Sequence, residues 1–185
     1  MVLPIKNIQF MKNIYTVFCS LFLVFNIQSQ DVPNKYAANV SSIDSIVSSI
    51  YEIVSGEKGE ERNWELHQTI FHPEAQIISN YVDKNGEYQI NFLTVDEYMD
   101  QYRDYFKENY LFEQDVNREI EKFGNMAHVF STFESYEKPG DSIPYKKGTA
   151  SIQLYNDGKR WYVLNMYYKN ESKNEKVPEK YFSSN

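Results

Sequence analysis

The chain has 185 residues, of which 42% are hydrophobic and 24% charged, which excludes a wholly disordered, fibrous or low-complexity protein. The formal net charge is −7 and no stretch gathers lysine and arginine into a dense patch. Phosphate neutralisation dominates affinity for nucleic acid, so no nucleic-acid partner is expected. Aromatic residues are in excess: 16 Tyr, 12 Phe and 2 Trp are enough to fill a core, line a pocket and face a partner together.

Residues 13–30 carry no charge, Lys6 and Lys12 precede them, and residues 17–25 are nearly all apolar. A positive start, an apolar run and a polar end describe a secretory signal peptide over residues 1–30, with Met11 as an alternative start. The alternative is an uncleaved anchor, whose apolar part is shortened by Asn13, Thr16, Ser20, Asn26 and Gln28. Phe18 before Cys19 argues against lipidation. Cleavage removes Lys6, Lys12 and no acid, so the charge becomes −9, and it removes the single cysteine, Cys19. An internal disulfide and a cysteine-based zinc site are therefore excluded. The expectation is an exported domain, periplasmic or extracellular, with no membrane contact after cleavage. Residues 31–39 read as a linker, 40–170 as one domain and 171–185 as a polar flexible tail.

Ile43, Ile46, Val47, Ile50 and Val54 recur at helical spacing and give one face of an amphipathic helix, ended by Gly56 and Gly59. A second helix is predicted over 60–71, with Trp64, His67 and Phe71 on one stripe and Pro73 closing it. Residues 75–82 and 88–93 read as strands joined by a turn at Lys84-Asn85-Gly86. Thr94-Val95-Asp96-Glu97 is a capping box, and the helix it opens is predicted to bury Tyr98, Met99, Tyr102, Tyr105 and Phe106. Four strands follow, over 111–122, 126–136, 148–155 and 160–169. In the first of them, Phe112, Val116 and Ile120 are placed on one face. This order gives an α+β fold, with three helices packed on a strongly curved antiparallel sheet enclosing a cavity.

The order of elements resembles that of the nuclear transport factor 2-like (SnoaL-like) superfamily. Trp64-Glu65-Leu66-His67 leading to Ile70-Phe71-His72-Pro73-Glu74-Ala75, and Asp157-Gly158-Lys159-Arg160-Trp161-Tyr162, carry the likeness. Tyr51-Glu52-Ile53-Val54-Ser55-Gly56, the run from Phe123 to Thr132, and Ser151-Ile152-Gln153-Leu154 are similar to an uncharacterised exported bacterial subgroup. The resemblance implies the NTF2-like cone and says little of reaction, since one fold hosts many functions. The isomerases of the superfamily place an aspartate base where this chain has Ser79, and an acid near Ala150 or Ser151. Their tyrosine would fall near Ile50 or Tyr51. With two of three roles unmatched, no catalytic residue is assigned and the reading leans away from an enzyme.

The resemblance also implies a small, largely apolar ligand in the cavity, with Trp64, His67, Phe71, Ser79, His128, Phe130, Thr132, Met166 and Tyr168 as candidate wall residues. It turns His128, Phe130, Thr132 and Glu134 inward, although Ala127, Val129 and Phe133 make the opposite face apolar as well. The alternative is a cofactor-free dehydratase, isomerase or cyclase using His128 with Glu134 or Tyr51. A second alternative is a structural module whose purpose is dimerisation. Trp161, Val163, Asn165 and Tyr167 form one face of the last strand and are the expected homodimer surface. Arg118 reads as solvated, or as a buried clamp for a ligand carboxylate. His67, His72 and His128 lack the spacing of a metal site, and neither metal nor cofactor is expected.

Overall fold

The computed structural model describes residues 34–183, all within one compact unit, Val32–Asn185. The leader expected over 1–30 lies outside the described residues. Among those described, no helix is long and apolar enough to cross a membrane.

Helix α1 (Ile43–Val54) starts at a reciprocal cap, in which Ser42 Oγ accepts the Ser45 amide and Ser45 Oγ accepts the Ser42 amide. Its predicted stripe is buried at Ile46, Val47, Ile50 and Val54, with Tyr51 and Ile53 beside it. The second helix begins later than predicted, as α2 (Trp64–Ile70). The reason is Arg62, whose buried guanidinium donates to the carbonyls of Val54, Gly56, Glu57, Glu60 and Asn109 and holds residues 57–61 in a loop around it. A Cβ on Gly56 would stand 2.5 Å from Arg62 Nη1, so only glycine permits this approach. Asn63 then caps α2 by accepting the Leu66 amide.

Phe71 is already extended, so strand β1 (Phe71–Val82) starts earlier than predicted, with an irregular stretch around Pro73. Asp83 Oδ1 accepts the amides of Asn85 and Glu87 and tightens the turn into β2 (Tyr88–Thr94). The capping box at Thr94 and Glu97 opens α3 (Val95–Glu108) as predicted. That helix buries Tyr98, Met99 and Phe106, while Tyr102 is half-buried and Tyr105 is 47% exposed.

Strands β3 (Phe112–Phe123), β4 (Met126–Tyr136), β5 (Lys146–Asn156) and β6 (Trp161–Asn170) complete a six-stranded sheet of order β2-β1-β6-β5-β4-β3. The architecture is the α+β arrangement expected. One pairing departs from it: β1 and β6 run parallel, so the sheet is mixed rather than antiparallel. Side-chain alternation along a strand carries no information on direction, which here depends on how α3 carries the chain from one sheet edge to the other.

Two bulges set which face each side chain takes. Val116 is the extra residue in β3 and Leu164 in β6. The first puts Phe112 and Ile120 on opposite faces, contrary to the alternation expected from the sequence. The inner face, toward the helices, carries Ala127, Val129, Ser131 and Phe133 of β4 with Ala150, Ile152 and Leu154 of β5. On the outer face lie His128, Phe130, Thr132 and Glu134. Residues 171–183, expected to be a flexible tail, run along this outer face instead. The Glu171 amide donates to the Lys147 carbonyl, Asn117 Nδ2 donates to the Tyr181 carbonyl, and Tyr181 packs on Phe130 at 5.0 Å between ring centroids.

Candidate functional site

Between α1, α3 and the inner sheet face lies a cavity of about 310 Å³. Ile50, Val54, Phe106, Leu111, Phe133 and Met166 make its apolar wall. Five phenols reach it: Tyr51 from α1, Tyr98, Tyr102 and Tyr105 from α3, and Tyr168 from β6. Capping and phase explain their convergence. The box at Thr94 fixes the start of α3, and helical spacing then turns three tyrosines toward one side.

The cavity has one polar quarter. Glu113 of β3 accepts a 2.6 Å bond from Ser135 Oγ, and Lys146 Nζ stands 3.7 Å from the same carboxylate. Burial raises the Glu113 pKa above the ordinary carboxylate value, and the opposing pull of Lys146 and Ser135 does not cancel it. Asn170 also lines the cavity, and its buried Oδ1 has no hydrogen-bond partner. Tyr51 donates 2.7 Å to Ser131 Oγ, a side chain with no solvent exposure. Burial pushes the phenols of Tyr51, Tyr98 and Tyr168 up, and Tyr145, near Glu113 and Tyr105, is raised to about 12 mainly by burial. These hydroxyls stay protonated at neutral pH; the Tyr51 proton is given to Ser131, while Tyr98 and Tyr168 also line the cavity.

Of the sequence-predicted wall residues, Met166 and Tyr168 line the cavity, and Tyr51 does so as well. Ser79 faces inward and hydrogen-bonds Tyr168 at its margin. Trp64, His67 and Phe71 are instead core residues. The His67 ring stacks 5.4 Å from Tyr98 and packs against Trp64 and Phe71, and burial lowers its pKa to about 4. His128, Phe130, Thr132 and Glu134 were expected to point inward and point outward. His128 Nε2 lies 3.0 Å from Ser151 Oγ across the sheet, Thr132 is buried on the outer side, and Glu134 bonds Tyr136 and Lys147. Each phase of β4 carries aromatic or small side chains, Ala127, Val129 and Phe133 under the helices and Phe130 against Tyr181 on the outside, so hydrophobicity alone did not separate them.

The expected dimer surface divides in the same way. Trp161 and Val163 pair with Asn156 and Leu154 on the inner side and are buried, whereas Asn165 and Tyr167 lie outside, because the bulge at Leu164 reverses the phase. Arg118 faces α1 and is bonded to Asp115, Asp44 and Ser48. No group of three His, Cys, Asp or Glu side chains gathers to hold a metal among the described residues. Glu113, Lys146 and Asn170 were missed by sequence reasoning. The usable signal was the phase of β3, in which Glu113 follows Leu111 by two residues and so shares its face.

Fold and cavity together define an α+β domain with an aromatic pocket closed by helices on one side and the sheet on the other. No family model matches the chain, and no curated protein matches it. Among solved structures it is similar to an NTF2-like protein of unknown function from Silicibacter pomeroyi, with 15% identity over 69% of this chain and 92% of that one and a TM-score of 0.47. It is also similar to a protein of unknown function with a cystatin-like fold from Nostoc punctiforme, with 10% identity over 72% and 96% and a TM-score of 0.51. An NTF2-like protein of unknown function from Methylobacillus flagellatus shows 18% identity over 72% and 99% and a TM-score of 0.46. At these identities the likeness is one of fold.

Proposed function

We propose that the protein binds a small, largely apolar molecule in the cavity between α1, α3 and the sheet. The observation that carries this reading is the cavity itself: about 310 Å³, walled by aromatic and aliphatic side chains, with Glu113, Lys146 and Asn170 collected at one end. A preformed apolar pocket with a few convergent polar groups is the usual form of a small-ligand site. The apolar wall would hold the ligand's body, and the polar quarter would orient one oxygen or nitrogen group. We further propose export, with the leader removed before the domain acts. Amino-terminal sequencing of the protein from the cell envelope and medium tests that part.

The test of binding is native mass spectrometry of the purified chain, with wild type compared to Phe133→Trp, which fills the cavity. Co-purifying small molecules that Phe133→Trp excludes support the reading. Their repeated absence, together with no thermal shift across a panel of hydrophobic carbonyl and phenolic compounds, overturns it.

A second reading is a cofactor-free enzyme, with Glu113 in the acid–base role first considered for His128. Burial raises the Glu113 pKa, which favours a carboxyl able to give and take a proton nearer neutral pH. In this reading Glu113→Gln abolishes turnover of a bound carbonyl compound while leaving its binding in place.

A further inference from the structure

The polar quarter of the cavity holds hydrogen-bond acceptors that the chain itself leaves unused. Asn170 shares the inner phase of β6 with Met166 and Tyr168, and its buried Oδ1 has no partner among the described residues. Its neighbour across the ladder on β5 is Gly148, which has no side chain to offer, and a Cβ there would overlap the Phe133 ring. A buried acceptor left unpaired is unusual in a folded protein and calls for a partner. On the other side of the quarter, Ser135 Oγ and Lys146 Nζ both approach Oε2 of Glu113, and no hydrogen bond from the described residues reaches Oε1. Lys146 Nζ, at 3.7 Å, stands beyond ordinary hydrogen-bond length, so its hydrogens are open to a ligand atom.

Building on the binding reading above, we propose that the ligand's polar group is an un-ionised hydroxyl, so that the pocket takes a neutral alcohol or phenol with an apolar body. The charge balance excludes an ionised head group. Apart from the phenols, Glu113 and Lys146 are the one acid and the one base that line the cavity, so their charges cancel and a further charge would be buried without a counter-ion. The open acceptors exclude a ketone or an ether, which brings no hydrogen and leaves Asn170 Oδ1 unpaired. A hydroxyl both gives and accepts a hydrogen at a single atom. That suits a polar patch confined to one end of a wall that is otherwise aromatic and aliphatic. The hydroxyl donates to Asn170 Oδ1 and accepts from Lys146 Nζ. Register sets these two groups near one another: Lys146 pairs with Ser135, itself opposite Glu113, and Gly148, two residues further along β5, pairs with Asn170.

The test titrates compounds of one skeleton into the full chain by calorimetry: tetralin, tetralol, tetralone and aminotetralin, substituted at the same carbon, the last of them a cation at neutral pH. Tetralol is expected to bind at least about tenfold more tightly than each of the others. Asn170→Leu keeps the size of the side chain and removes the acceptor. It is expected to bring tetralol down to the affinity of tetralone while holding tetralin within about threefold. The ranking of the compounds on the wild-type chain needs no variant, so it decides the matter whether or not Asn170→Leu folds. Tetralone or aminotetralin binding as tightly as tetralol, while Phe133→Trp still excludes them all, overturns the hydroxyl assignment and leaves the binding reading standing. A preference for tetralol that survives Asn170→Leu in a folded chain also overturns it. No binding by any of these compounds, tetralin included, overturns the two readings together.

Discussion

Glu113 and Glu134 stand on adjacent strands, each within reach of a lysine from β5, yet folding moves their proton affinities in opposite directions. Glu113 faces the cavity, with Lys146 at 3.7 Å, and burial raises its pKa. Glu134 faces outward, with Lys147 at 2.9 Å. Its partial desolvation also pushes upward, but bonds from Tyr136 and Lys147 outweigh that and leave its pKa below the ordinary value. Lys146 and Lys147 are consecutive, so one step along a strand separates a carboxylate that faces the cavity from one engaged in surface pairing. The face, more than the residue type, decides what a carboxylate in this sheet can do.

The sharpest test of that contrast is packing. Ile152, fully buried on the inner face of β5, should cost about 2–5 kcal/mol when changed to alanine. Its exposed neighbour Gln153 on the outer face should change stability by less than about 0.5 kcal/mol. Urea denaturation measures both, and similar losses would mean that the outer face is buried as deeply as the inner one.

The pH dependence comes next, with opposite signs for the two glutamates. Glu113 has a raised folded-state pKa, so the folded state binds more protons than the unfolded one above the ordinary value of 4.5. Its contribution to stability is complete below that value and is lost as pH rises through the folded pKa. Glu113→Gln should therefore flatten the alkaline side of the stability profile. Glu134 behaves the other way: its contribution is present above the ordinary value and fades as pH falls, so Glu134→Gln should flatten the acid side. Melting temperatures across mildly acid to neutral pH read both effects, and slopes of the same sign for the two variants would break the comparison.

Tyr51→Phe removes the bond to the fully buried Ser131 and should cost about 1 kcal/mol of unfolding free energy. It should also weaken any ligand that relies on the phenol. The smallest effect is expected at His128. His128→Ala loses one half-buried contact to Ser151 on the outer face and should change stability by less than about 1 kcal/mol, with ligand affinity unchanged by calorimetry. A marked loss of affinity in this variant would return His128 to the site and refute the assignment of faces.

Much of this was legible in the sequence, and the exceptions share a cause. The apolar stripe of α1, the capping box of α3 and the turns at Gly86 and Gly158 are local patterns, and each appears where the residues put it. What failed was phase. The bulges at Val116 and Leu164 each shift alternation by one residue, so Phe112 and Ile120 part to opposite faces and Val163 turns inward while Asn165 and Tyr167 stay outside. Arg62 delayed α2 for a related reason, because its five carbonyl acceptors include Asn109, far along the chain.

By itself the sequence determined an aromatic-rich α+β domain with three helices, six strands and no thiol beyond Cys19, because helix caps, turn residues and hydrophobic periodicity act over a few neighbours. Only the tertiary structure decided which aromatic residues are walls and which are core, that β1 and β6 run parallel, and that Glu113 rather than His128 faces the cavity. Those outcomes depend on strand register, bulge position and the covering of the outer face by residues 171–183. All three arise from contacts between residues distant in the chain, where periodicity carries no information.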